Sequence, residues 1–179
     1  MMPALTPQLE RVKRWLTDVG DVITPGQGTN SAGETLSGIQ VQHGSVYLLV
    51  IDRNGVIAVT ATLQVPPSLR STLGQLSNEV QERLLIAVRS GMMDVPRIGW
   101  NIAPATSTRI GDVQTIQLIE LMKVGEDEIS GFNRLMDAIQ ELATMTIKIG
   151  AILGGAMRPG AMLPSVPTSR PSNHNPAYG

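Results

Sequence analysis

The spacing of apolar residues changes along the chain, and each change marks an element. In "LTPQLERVKRWLTDVG", Leu5, Leu9, Val12 and Leu16 recur at steps of three and four, which is one face of a helix. Thr6 offers an N-cap, Pro7 suits the first helical position and Gly20 suits the stop. Further on, "LSGIQVQ" alternates, while "SVYLLVID" and "VIAVTATL" are rich in Val and Ile. Asn54-Gly55 lies between the last two, and both residues tolerate the positive φ that a type I′ hairpin demands. With a turn at His43-Gly44, these segments predict a three-stranded meander.

After Pro66-Pro67 the helical period returns through Leu69, Leu73, Leu76, Val80, Leu84 and Val88. It predicts one helix or two in succession, with Ser77 capping the second piece and Gly91 ending it. Ile98, Trp100 and Ile102 alternate as a strand. "RIGDVQTIQLIELMK" reads as a long strand from its β-branched content, although Val113, Ile116 and Glu120 also fit along a helix. A long helix starts near Ser130, with Phe132, Leu135, Met136, Ile139, Leu142 and Ala143 as its inner stripe. The order helix, three strands, helix, two strands, helix predicts an α+β fold, an antiparallel sheet with helices packed on it.

Five of the twelve prolines fall in the last segment, residues 158–179, among small polar residues. Such a stretch buries too little apolar surface to offset its ordering entropy. It is expected to be a disordered Pro-rich tail following one domain over residues 4–157. Apolar residues make up 42% of the chain and aromatics 3%, with nine Met against one Phe, so the core is expected to be aliphatic and Met-filled. A net charge of −1 without basic clusters gives no reason to expect a nucleic-acid partner.

The absence of cysteine removes disulfides, thiolate metal sites and Cys nucleophiles together, and fits an expected cytoplasmic setting. "MMPALTPQLERVKRWL" has no apolar core behind a basic start, so no signal peptide is expected. The most apolar run, Leu142–Met157, spans 16 residues and contains Lys148. It falls short of the roughly 20 residues a membrane-spanning helix needs.

Few stretches hint at chemistry. "GTNSAGET", Gly28–Thr35, is one residue from the phosphate-cradling pattern G-x-x-x-x-G-K-[ST], but Glu34 stands where the lysine belongs. Pro25 and Gly26 interrupt the preceding segment, and the next one, "TLSGIQVQ", reads as strand rather than helix. The stretch therefore reads as a polar loop at residues 26–34, inserted between first helix and meander. "DRNG" resembles the middle of a calcium-binding loop, but Val50 and Ala61 occupy the end positions where carboxylates are required.

His43 reads as a turn residue, and His174 lies in the tail without a ligand spacing. Glu126, Asp127 and Glu128 sit where a helix N-terminus favours acidic residues. Trp15 and Trp100 read as core or core-margin residues. No catalytic, cofactor or metal site is expected from these patterns.

The last helix is more informative. "LATMTIKIGAILGGAM" is apolar nearly all round, so one side is expected to cover the sheet and another to meet a partner. Met145, Ile149, Ile152 and Leu153 are the expected contact residues, with Gly150 and Gly154 allowing close helix approach.

The order of elements resembles the type III secretion chaperone-like superfamily, and a prokaryotic branch of it in particular. "VKRWL", "LLVIDRNGVIAVTATLQVPP", "LRSTLGQLSNEVQERLLIAVRSGMM" and "IQLIELMKVGEDEISGFNRLMDAIQEL" carry the likeness, over roughly residues 7–152. The resemblance implies a non-enzymatic, dimeric protein that binds other polypeptides, an adaptor or chaperone with a client or a second copy as partner. The Gly-rich stretch at 26–34 and the Pro-rich tail depart from that pattern. Two alternatives stand beside it. One is a small-molecule-binding domain or enzyme using Asp52, Glu120 or residues 126–128 in a cleft. The other is peripheral membrane attachment through the C-terminal helix.

Overall fold

The computed structural model describes residues 5–29, 33–125 and 127–156. Helix α1 (Pro7–Asp18) begins where Thr6 accepts a hydrogen bond from the Leu9 amide, and Gly20 adopts the positive φ that lets the chain turn away. Four strands come next in sequence: β1 (Val22–Thr29), β2 (Thr35–His43), β3 (Val46–Arg53) and β4 (Val56–Gln64). Helices α2 (Pro67–Gly74) and α3 (Asn78–Met93) lie beyond them, the second capped by Ser77. Strand β5 (Ile98–Ala103), a 3₁₀ turn at Ile110–Asp112, strand β6 (Thr115–Met122) and helix α4 (Glu128–Gly155) complete the fold.

The architecture is α+β, as the periodicity predicts, with one strand more than expected. Every neighbouring pair in the sheet is antiparallel, and the order is β1-β2-β3-β4-β6-β5. Strand β1 replaces the front half of the expected polar loop: Pro25 and Gly26 pair with Ile39 and Gly38 of β2. A proline survives there because β1 is an edge strand, where half of the amides have no sheet neighbour to serve. Gly38 is the close-packed point of this corner. A β-carbon on it would lie 2.7 Å from Ile51 Cγ2 and 2.8 Å from the Val50 carbonyl oxygen.

The segment read as one long strand divides. The 3₁₀ turn takes Ile110–Asp112, and the strand proper starts at Thr115. The Asn54-Gly55 turn has both residues at positive φ, as type I′ geometry requires. The Pro-rich segment 158–179 lies outside the described residues, as do Glu126 and residues 30–32 of the Gly-rich stretch.

The core lies between the sheet and α1, α3 and α4. On β6, Ile116, Leu118, Glu120 and Met122 are buried while Gln117 and Leu121 are exposed, which is the alternation of a sheet covered on one side. Register carries the covered side across the sheet through Val59, Val50 and Ile39. From α4, Leu135, Ile139, Leu142, Met145, Ile149 and Leu153 reach down as one stripe at helical spacing.

That stripe corrects the expected contact surface. Met145, Ile149 and Leu153 are 4%, 1% and 2% exposed, so they belong to the domain's own core, and Ile152 is half-buried beside them. They continue the face begun by Leu135, and so cannot also face outward. The outward side at this end carries Ile147, Gly150 and Gly154.

Candidate functional site

The residues singled out from the sequence do not gather into one site. Asp52 accepts from the Thr6 hydroxyl and the Gly55 amide, both at 2.7 Å, so it ties the start of α1 to the β3–β4 turn. Asp127 caps α4 by accepting from the Ile129 and Ser130 amides, and Glu128 sits exposed in the first turn. Glu120 lies under α4. These carboxylates perform three separate structural tasks. Trp15 packs edge-on against Phe132 with ring centroids 6.2 Å apart, at the core margin between α1 and α4.

Two polar clusters on the helix-covered side were not foreseen. Glu120 is fully buried, with Arg134 Nη2 of α4 at 2.6 Å as its ion-pair partner. Neither carboxyl oxygen accepts a hydrogen bond among the described residues. Burial raises its pKa above the ordinary carboxylate value; Arg134 opposes that rise, Glu141 adds to it, Arg97 opposes it and Asp137 adds to it. Arg97 is itself paired with Glu141. The signal in the sequence was a lone acid in phase with Ile116, Leu118 and Met122.

The second cluster joins three elements. His43 Nε2 lies 3.2 Å from Gln140 Oε1 of α4, and His43 Nδ1 lies 3.7 Å from Asp21 Oδ1 just before β1. The histidine read as a turn residue is thus the end of β2 and a link from sheet to helix.

A hollow of about 390 Å³ opens between α1 and the β1–β2 edge, walled by Leu5, Ile23, Pro25 and Ile39 with Lys13 beside them.

The other side of the sheet has a different character. Two register rows show it. One runs Thr24, Gln40, Leu49, Thr60, Ile119, Gly99 across all six strands; the next runs Gly26, Gly38, Ile51, Ala58, Leu121 across five. Register places these on the side opposite Glu120 and His43, where α1, α3 and α4 do not pack, and in its middle Ile51, Ala58 and Thr60 are nevertheless buried at 2%, 0% and 5% exposure. Tyr47 and Leu121 stand out from it at 58% and 55% exposure, with Val22 exposed at the β1 edge.

A shallow hollow of about 260 Å³ is walled by Gly26, Gln40, Tyr47, Leu49, Thr60 and Thr62. Its floor is tight because Leu49 and Ile51 fold down over Gly26 and Gly38. Among the described strand residues, Arg53, at the β3–β4 turn, is the single charged side chain on this face. A sheet face meant only for water normally carries interspersed Lys, Arg, Asp and Glu. Depletion of charge is instead the mark of the middle of a protein contact.

The architecture is that of an α+β sheet protein with helices against one face, and solved structures share it. An uncharacterised protein from Methanothermobacter thermautotrophicus matches with a TM-score of 0.65 at 12% identity, over 83% of this chain and 98% of that one. YbjN from E. coli, whose assignment as a transcription regulator is provisional, matches with a TM-score of 0.50 at 13% identity, over 83% of this chain and 95% of that one. At such identities the likeness is one of fold. No family model matches the chain, and neither does any curated protein. No described helix is long and apolar enough to cross a membrane.

Proposed function

We propose that this chain is a non-enzymatic protein-binding module of the adaptor or chaperone-like kind, and that the uncovered sheet face is its contact surface. The observation that carries the reading is the scarcity of charge on that face, Arg53 at the turn being its one charged strand residue among those described, together with its protruding Tyr47 and Leu121. Exposed aromatic and aliphatic anchors on a charge-poor sheet face are the composition of a polypeptide contact. The shared fold with the archaeal protein and with YbjN is compatible with this role, and so is the resemblance to the secretion-chaperone-like superfamily.

The separate structural tasks of Asp52, Glu120 and Asp127 favour binding over an enzyme built on clustered carboxylates, because those groups do not converge on one cleft. A net charge of −1 supplies no basic stripe for phosphate contacts. Peripheral membrane attachment through the last helix loses its basis, since the apolar residues expected to insert are packed in the core.

The test is affinity capture with the full chain at native expression, run beside Tyr47→Lys and Leu121→Lys. Both sites are more than half exposed, so the substitutions leave the fold intact. The reading expects a polypeptide partner, whether a second copy or another chain, to be retained by the native protein and lost from both variants. Equal retention by all three proteins rejects the face as the contact surface.

A further inference from the structure

The hollow between α1 and the β1–β2 edge has apolar walls and a single charge beside them. Ile23 and Pro25 pair with Val41 and Ile39, so they stand on the helix-covered side of the sheet. Ile39 and Val41 are buried there, but Ile23 is only half-buried and Pro25 is exposed at the edge. With Leu5, half-buried just ahead of α1, they form a concave apolar surface open to solvent.

Lys13 is the one charged residue along this hollow among the described residues. Its ammonium has no ion-pair or hydrogen-bond partner among them. The helix supplies none at the favoured spacing: Leu9 and Thr17 stand at i−4 and i+4, and the Thr17 hydroxyl donates to the Lys13 carbonyl. Lys148, by contrast, is paired with Asp94.

We propose that the hollow binds a small amphipathic carboxylate of the size of a medium-chain fatty acid. Its tail lies against Leu5, Ile23, Pro25 and Ile39, and its carboxylate meets Lys13. This goes beyond the protein-contact reading and does not depend on it. Volume sets the size. An apolar cavity of about 150 Å³ holds benzene, so about 390 Å³ scales to roughly 12–16 non-hydrogen atoms, the count of decanoate or dodecanoate. Charge sets the head group. A purely apolar ligand makes no use of Lys13, and a phosphate asks for several donors at once. One ammonium beside an apolar hollow matches one carboxylate, and the lysine stem adds apolar wall beneath it.

Amide NMR titration of the full chain with sodium decanoate, below its micelle concentration, tests the proposal. Saturable shifts confined to α1, β1 and β2 are expected, with a dissociation constant of roughly 0.1–2 mM, in keeping with ligands of this size. Decanoate should bind about three- to tenfold more tightly than octanoate, because two more methylenes leave water. Lys13→Gln, at an exposed position, should weaken octanoate at least about threefold and leave octanol unchanged, since only the carboxylate uses the ammonium. Ile23→Asp should lose both ligands, with circular dichroism confirming that the fold is retained.

No saturable shift at concentrations well above the expected constant overturns the proposal. Octanoate binding that Lys13→Gln leaves unchanged also overturns it, because the hollow would then take apolar ligands without regard to charge. Shifts spread over the whole surface would mean detergent-like adsorption and no site. If decanoate instead lowers the mass seen by sedimentation, it displaces a second copy from the hollow, and the carboxylate falls as its occupant.

Discussion

Gly38 shows how a single hydrogen atom in place of a side chain shapes a sheet. Its neighbour across the ladder is Ile51, whose Cγ2 occupies the space where a β-carbon would sit, and the Val50 carbonyl blocks the other approach. Backbone cannot yield as a flexible side chain can. Gly38→Ala should therefore destabilise the protein by about 1–3 kcal/mol, the usual cost of overpacking, measured as a lower urea midpoint with unchanged slope. Alanine tolerated without loss would mean that the β1–β2 corner has room to relax around a β-carbon.

Glu120 is the opposite case, since here a side chain is present at a cost. Its pKa is raised in the folded state above the ordinary carboxylate value, mainly by burial. A carboxyl raised on folding binds its proton more tightly in the native state, so stability falls as pH rises from the unfolded value through the folded one. Glu120→Gln should therefore stabilise the protein at neutral pH by roughly 1 kcal/mol, because Arg134 keeps solvent access while the buried charge is gone. The advantage should vanish near and below the unfolded carboxyl value, where both proteins are neutral at this position. Thermal melts across that pH range give the sign directly. A variant less stable than the native protein at neutral pH would mean that the ion pair outweighs its desolvation.

At the level of elements, α4 divides into a legible half and an illegible one. Its stripe from Leu135 to Leu153 is continuous, and Ile149 is 1% exposed within it. Ile149→Asp should abolish cooperative folding or lower stability by about 4 kcal/mol or more, since it buries an unpaired carboxylate. A stable, folded variant would move Ile149 out of the core. Periodicity identified this helix and its inner stripe as far as Ala143. Beyond that point the segment is apolar nearly all round, and composition cannot say which side the sheet takes.

Strand β1 was hidden for a related reason. Pro25 and Gly26 oppose strand structure locally, and only the ladder formed with Ile39 and Gly38 overrides them. The hairpin at Asn54-Gly55 and the caps at Thr6 and Ser77 were legible because each depends on two or three adjacent residues. The uncovered face was not, because it exists only once six strands are in register. Its ingredients, Thr24, Gln40, Thr60 and Leu121, are ordinary residues one strand at a time.

Across the whole molecule, charge and sheet are segregated. Ion pairs such as Arg97–Glu141 and Lys148–Asp94 lie on the helical side, and even the buried carboxylate Glu120 points that way. The opposite face carries Arg53 alone among the described strand residues, at a turn. That segregation makes ionic strength a probe of where partners bind. Contacts made through charged rims weaken as salt screens them, with a Debye length of about 10 Å at 0.1 M and about 3 Å at 1 M.

Association through a charge-poor sheet face has little such attraction to lose, and strongly excluded salts such as sulfate favour burial of apolar surface. The dissociation constant of the polypeptide held on this face should therefore change by less than about threefold between low and high sodium chloride, and should fall in ammonium sulfate. Equilibrium sedimentation at matched protein concentrations reads both trends. A native complex that dissociates steeply as salt rises would place the contact on the charged helical side of the molecule instead.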